Sequence, residues 1–313
     1  VLGGGAGSAA ALLAVHSAGI DAPALELAAR AGRHLLGRAI PRGEGLAWPV
    51  PPGAEALRPL TGFAHGAGGI GWALIRLGSA LGERDFTEAG LAAFCYERGE
   101  YDPQTGNWPD HRVPGKRAPG VAHGGLPTGS DALAWCHGAA GIGLARADAL
   151  SLVADPGAEA DLDAAAAVVR TRGFGGNHSL CHGDLGNAEL MLLATQAEAR
   201  SAAGAGTAAP ARTSGDGAAA QAQPQCPAWA AGARARLERV VEDMLAGIAA
   251  GGPRCGTPNE IETPSLMTGL SGIGYGLLRL AAPDRLPPVQ LLWPPSATSS
   301  ETHAAPKERA TTP

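Results

Sequence analysis

One short pattern recurs five times along this 313-residue chain and restricts its fold more than any other feature. It reads G-x-x-G followed by an apolar stretch, and its copies are Gly4–Gly7, Gly66–Gly69, Gly138–Gly141, Gly183–Gly186 and Gly269–Gly272. Successive first glycines lie 62, 72, 45 and 86 residues apart. Repeats of that kind, with loops of unequal length between them, point to one supersecondary unit used several times. After Gly69 the apolar residues Ile70, Leu74 and Leu77 fall at i, i+4 and i+7, and Ile273, Leu277 and Leu280 do the same after Gly272. Both are single stripes of an α-helix. Ile142 and Ala145 begin a third stripe in GIGLARADAL, and further Ala/Leu-rich helices are expected over 22–38, 85–99, 158–170 and 228–250. No sustained alternation of β-formers appears, so the chain reads as all-α with about two helices per repeat. Glycine at each helix start lets backbones approach closely and permits positive φ.

Composition supports one sizeable core: 45% of residues are hydrophobic and 17% charged. The net charge of −5 argues against a nucleic-acid partner. No run of 18 or more uncharged apolar residues marks a transmembrane segment, and the first residues lack a basic, secretory-type start. A cytoplasmic chain with reduced thiols is therefore expected, since five cysteines without a signal peptide make a poor disulfide framework. The Ala/Gly/Pro/Ser-rich stretch 199–226 reads as a disordered insertion and 294–313 as a disordered tail.

Three of the five motifs carry chemistry. The residues before their first glycine are Phe63-Ala64-His65, Trp135-Cys136-His137 and Leu180-Cys181-His182. A lone His or Cys is commonly core filler, but three equivalent loops decorated alike suggest a shared site. Cys136, Cys181 and His182 offer S, S and N donors, a set suited to zinc, and three protein ligands leave a fourth position open as in catalytic sites. A thiolate-rich open site favours activating a substrate thiol over generating hydroxide. His65 and His137 are the candidate proton donors. Among the remaining residues, Cys255 near the last motif reads mainly as a buried or loop thiol, Cys95 as core and Cys226 as incidental. His123 and His178 are placed in loops, with His178 expected to face solvent.

The stretches GFAHGAGGIGWAL, WCHGAAGIGLAR, SLCHGDLGN and PSLMTGLSGIGYGLLRL resemble the lanthionine synthetase C-like cyclases. Asn107–Arg112 (NWPDHR) and the segment running to Leu292 look most like the cyclase part of the class II, LanM-type enzymes. The resemblance implies an α/α toroid of seven helical repeats around zinc, held by Cys136, Cys181 and His182, with His65 catalytic and His137 beside it. It implies addition of precursor-peptide cysteine thiols to dehydroalanine or dehydrobutyrine, which forms (methyl)lanthionine rings. Five of the seven repeats are present, and the Asp that precedes the first motif in the family would fall before Val1. The expectation is thus an N-terminally truncated cyclase domain over 1–293, with a dehydrated lanthipeptide precursor as partner and a dehydratase domain upstream in the full-length protein. The alternative is an inactive remnant or a non-catalytic peptide-binding module that keeps the zinc ligands.

Overall fold

A computed structural model describes residues 1, 4–20, 23–50, 58–112, 132–206 and 226–292. Among them the fold is all-α, as the repeats predict. The helices are α1 (Gly5–Ser17), α2 (Ala24–Arg38), α3 (Ala67–Leu81), α4 (Arg84–Gly99), α5 (Ala139–Ala149), α6 (Pro156–Arg172), α7 (Asp184–Gly206), α8 (Ala233–Gly251) and α9 (Leu270–Ala281). Each glycine motif opens an odd-numbered helix. These helices pack on one another in the order α1, α3, α5, α7, α9, and α2, α4, α6 and α8 each pack on the odd-numbered helix before them. The result is an inner layer of motif-bearing helices backed by an outer layer.

Close approach, more than unusual torsion, accounts for the glycines. A Cβ built on Gly69, Gly141, Gly186 or Gly272 would stand 1.7–2.3 Å from the carbonyl oxygen six residues earlier. Each motif loop therefore folds back onto the first turn of its own helix, and no side chain fits between. Gly66 and Gly269 have ordinary negative φ. Among the first glycines of the motifs, Gly138 combines crowding with a positive φ of 89°. The same loops satisfy the helix N-termini. Ala67, Asp184 and Leu270 donate their first-turn N–H groups to Leu60, Asn177 and Thr263 carbonyls at 2.8–2.9 Å. Groups that side-chain caps often serve are served here by backbone.

Two differences from the sequence reading stand out. An antiparallel hairpin, β1 (Ile40–Arg42) with β2 (Gly45–Ala47), follows α2 and packs on α4. Three-residue strands are too short to leave a periodic signal. The stretch expected to be disordered from residue 199 instead begins as the last turns of α7, because its Ala-rich opening has high helix propensity. Residues 207–225 and 293–313 lie outside the described residues, as does His123.

The core holds Phe63, Trp72, Phe94, Leu144 and Leu190, and a charged network runs through it. Glu97 of α4 is fully buried and accepts from the backbone N–H groups of Gly62 and Gly68 at 2.6 and 3.1 Å. Arg146 of α5, also fully buried, donates to Glu97 at 2.8 Å and to Asp161 at 3.1 Å. An outer-helix carboxylate thereby fixes the loop that carries His65. Removing one partner leaves a buried charge uncompensated. Glu97→Ala is expected to lower stability in urea unfolding by roughly 3–5 kcal/mol; a loss within experimental error would contradict this role.

Candidate metal centre

The motif loops are joined through their backbones. Ala64, Cys136, Cys181 and Met267 each stand two residues before the first glycine of their motif. The Ala64 N–H donates to the Cys136 carbonyl and the Cys136 N–H to the Cys181 carbonyl, both at 3.3 Å. The Cys181 N–H donates to the Met267 carbonyl at 2.8 Å. Equivalent positions of four repeats are thus drawn into one chain of hydrogen bonds, and the residues beside them converge.

That convergence brings Cys136, Cys181 and His182 together, with donor atoms all within 4.8 Å of one another and all three residues buried. Tetrahedral ligands of zinc stand about 3.5–3.8 Å apart for bond lengths of 2.0–2.3 Å, so a contraction of about 1 Å closes the set. Both ring nitrogens of His182 are buried without a hydrogen-bond partner. An imidazole of this kind is costly unless something coordinates it. The Cys181 thiol beside it is the largest cause that brings the Cys136 thiol down to about 5, against burial, and the neighbouring His182 and the Arg112 charge add to the shift. The hydrogen bond to Cys136 and burial push Cys181 strongly upward, so without metal the two sulfurs hold one proton between them. A soft, anionic, preassembled S, S, N donor set fits a zinc ion.

His65 and His137, the latter next to Cys136 in the chain, stack on one another, rings nearly parallel and centroids 4.8 Å apart. His137 is buried with its Nε2 unpartnered, whereas His65 forms the exposed side of the stack. A cavity of about 420 Å³ opens beside His65, lined by Leu35, Trp48, Leu60, Ala64 and Ile70 among others. Burial is the largest cause lowering both imidazoles, to about 4 for His65 and about 3 for His137, and Arg112 adds to both shifts. Both rings are neutral at pH 7.

The segment Asn107–Arg112 supplies residues that the sequence reading used only for resemblance. Asn107 is fully buried, accepts from the Ala139 N–H at 3.0 Å and donates to the Ala132 carbonyl at 3.1 Å, which pins the Cys136 loop. Thr61 donates to the Pro109 carbonyl at 2.8 Å and ties the segment to the His65 loop. Asp110 is buried, receives Arg112 through Nε and Nη2 at 2.6–3.0 Å, and lies 3.9 Å from His137 Nδ1. Burial raises its carboxyl, but the hydrogen bonds and charge of Arg112 outweigh burial and hold it below the usual range. The Asp-x-Arg spacing was the available signal for this pair.

Two expectations are corrected or refined. His178 is buried, not solvent-facing: its Nδ1 accepts from the Arg254 N–H at 2.8 Å, and its own N–H donates to the Arg254 carbonyl at the same distance. Cys255 is buried in an apolar cluster with Leu180, Met244 and Ile273, while Cys95 is half-buried and Cys226 exposed. In the Arg254–Gly256 loop it is Gly256 that reaches the site. A Cβ there would stand 2.8 Å from His182 Nε2 and 2.5 Å from Ser179 Oγ.

Fold and site together define an all-α repeat protein with a buried thiolate–imidazole centre. Residues 1–202 and 227–292 match the family model for lanthionine synthetase C-like proteins, and the chain belongs to that family. The unmatched residues between fall within the low-complexity stretch. No curated protein matches the chain.

Two outcomes follow from this geometry. Gly256→Ala displaces the His182 ring and is expected to weaken zinc binding roughly 10–100-fold in a competitive chelator titration; unchanged affinity would contradict the placement of His182. For metal-free protein, His137 protonates near pH 3 folded and near 6.5 unfolded. The unfolded state binds more protons in that window, so stability falls as pH is lowered below about 6.5. The urea midpoint should drop between pH 7 and 5, and less so in His137→Asn; equal slopes for the two proteins would overturn the assignment.

Proposed function

We propose that this chain is a zinc-dependent lanthipeptide cyclase domain, which joins cysteine thiols of a precursor peptide to dehydroalanine or dehydrobutyrine as (methyl)lanthionine thioethers. The observation that carries the reading is the cluster of Cys136, Cys181 and His182 beside the stacked His65 and His137. Asn107–Arg112 and the C-terminal motif favour the class II, LanM-type branch. The cyclase domain spans 1–293, with the low-complexity stretch 199–226 as an insertion in it.

Cys136, Cys181 and His182 would hold the zinc. When bound there, zinc acidifies a thiol that enters its open position. Family membership makes a peptide the substrate class, and the cavity beside His65 is where its residues lie against apolar walls. The neutral imidazoles set the direction of proton movement. His65 or His137 accepts the thiol proton at a ring nitrogen and returns it to Cα of the acceptor after the C–S bond forms. His65, on the open side of the stack, meets the peptide, and His137 supports it from below. The buried loops around Cys136 keep water from the reacting atoms.

The test begins with metal content. Purified protein should contain about one zinc per chain, and Cys181→Ala should contain none. Incubated with a dehydrated precursor peptide, the zinc-loaded protein should convert free thiols into thioethers. This is read as lost reactivity toward an alkylating reagent at unchanged mass. His65→Ala should keep the zinc and lose thioether formation about 10²–10⁴-fold. A folded chain that binds no zinc, or one that retains it in Cys181→Ala, would overturn the proposal.

A further inference from the structure

We propose that Arg112, anchored by Asp110, binds the carbonyl oxygen of the acceptor residue and stabilises the negative charge that develops there as the thiolate adds. The inference rests on the cyclase reading above and assigns a residue to a demand that reading leaves open. As addition proceeds, the sulfur electron pair forms the C–S bond to the β-carbon. The double-bond pair moves to form an enolate whose charge sits on the carbonyl oxygen. Cα then takes up one proton, matching the one the thiol lost. A donor aimed at that oxygen speeds the reaction because its bond strengthens as the charge grows.

Arg112 is a permanent cation whose field reaches Cys136, Cys181, His65 and His137 alike. Its geometry suits the task. Asp110 is 3% exposed and grips Nε and Nη2, whereas the Arg112 side chain is 32% exposed. Nη1 carries no hydrogen bond to a described residue, so the fork is fixed from the buried side and presents donors on the other. Asp110 is the positioning residue: it receives the Arg112 backbone N–H at 3.0 Å as well as the side chain, which holds the guanidinium near His137. Elsewhere in the core, arginines are consumed by structure. Arg146 pairs with Glu97 and Asp161, and Arg279 with Glu189 and two carbonyls.

The experiment compares unaltered protein, Arg112→Ala and Arg112→Lys at equal zinc content, with a synthetic peptide carrying one dehydroalanine and one cysteine. Arg112→Ala should lose about 100-fold in kcat with little change in KM, and added guanidinium ion should restore part of the loss. Arg112→Lys, which keeps the charge but not the fork, should fall between the two. If Arg112→Ala does not fold, the lysine variant alone carries the comparison. A rate for Arg112→Ala within about threefold of the unaltered protein, a loss that disappears once zinc is restored, or a loss indifferent to guanidinium would each overturn the inference alone. No addition by the unaltered, zinc-loaded protein overturns the cyclase reading and this inference with it.

Discussion

The chain of backbone hydrogen bonds through Ala64, Cys136, Cys181 and Met267 is the constraint on which the rest of the molecule depends. Backbone bonds do not depend on side-chain identity, so four loops with different sequences adopt one relative placement. That placement requires each loop to lie against the start of its own helix, and the glycines remove the Cβ atoms that would prevent it. The motif is therefore a steric requirement repeated once per helical unit. The functional side chains are carried on positions that the requirement leaves free.

Around this frame the polar groups divide their tasks by depth. Glu97 of the outer helix layer, paired with Arg146 of α5 and like it fully buried, holds the His65 loop. Asn107 pins the Cys136 loop through both atoms of its amide. Closer to the centre, burial keeps His65 and His137 neutral while Arg112 keeps its charge. The site thus holds neutral imidazoles, a thiolate-poised donor set and one fixed cation whose field reaches them.

Much of this was legible in the sequence, and the reason is the repeat. Because the motifs are spaced along the chain but equivalent in structure, Cys136 and Cys181 could be paired across 45 residues without a structure. The helices behind the motifs followed from stripes such as Ile70, Leu74 and Leu77. What the sequence did not show were contacts between unlike segments. Gly256 matters because its Cα faces His182, a relation no periodicity encodes. His178 looked like a loop residue facing water, but the Arg254 backbone crosses it and buries it. Asp110 and Arg112 lie outside every repeat, so only their two-residue spacing hinted at an ion pair. The β1–β2 hairpin was too short to register.

The most direct test of the account is the absorption spectrum of the cobalt-substituted protein. Cobalt reports ligand type and coordination number together. Two cysteines and one histidine in a four-coordinate site should give thiolate-to-metal charge-transfer bands in the near ultraviolet and strong visible bands. The charge-transfer intensity should fall by about half in Cys136→Ser. Weak visible bands of a six-coordinate ion, with no thiolate charge transfer in a folded protein, would contradict the claim that the joined loops assemble a thiolate-rich metal centre.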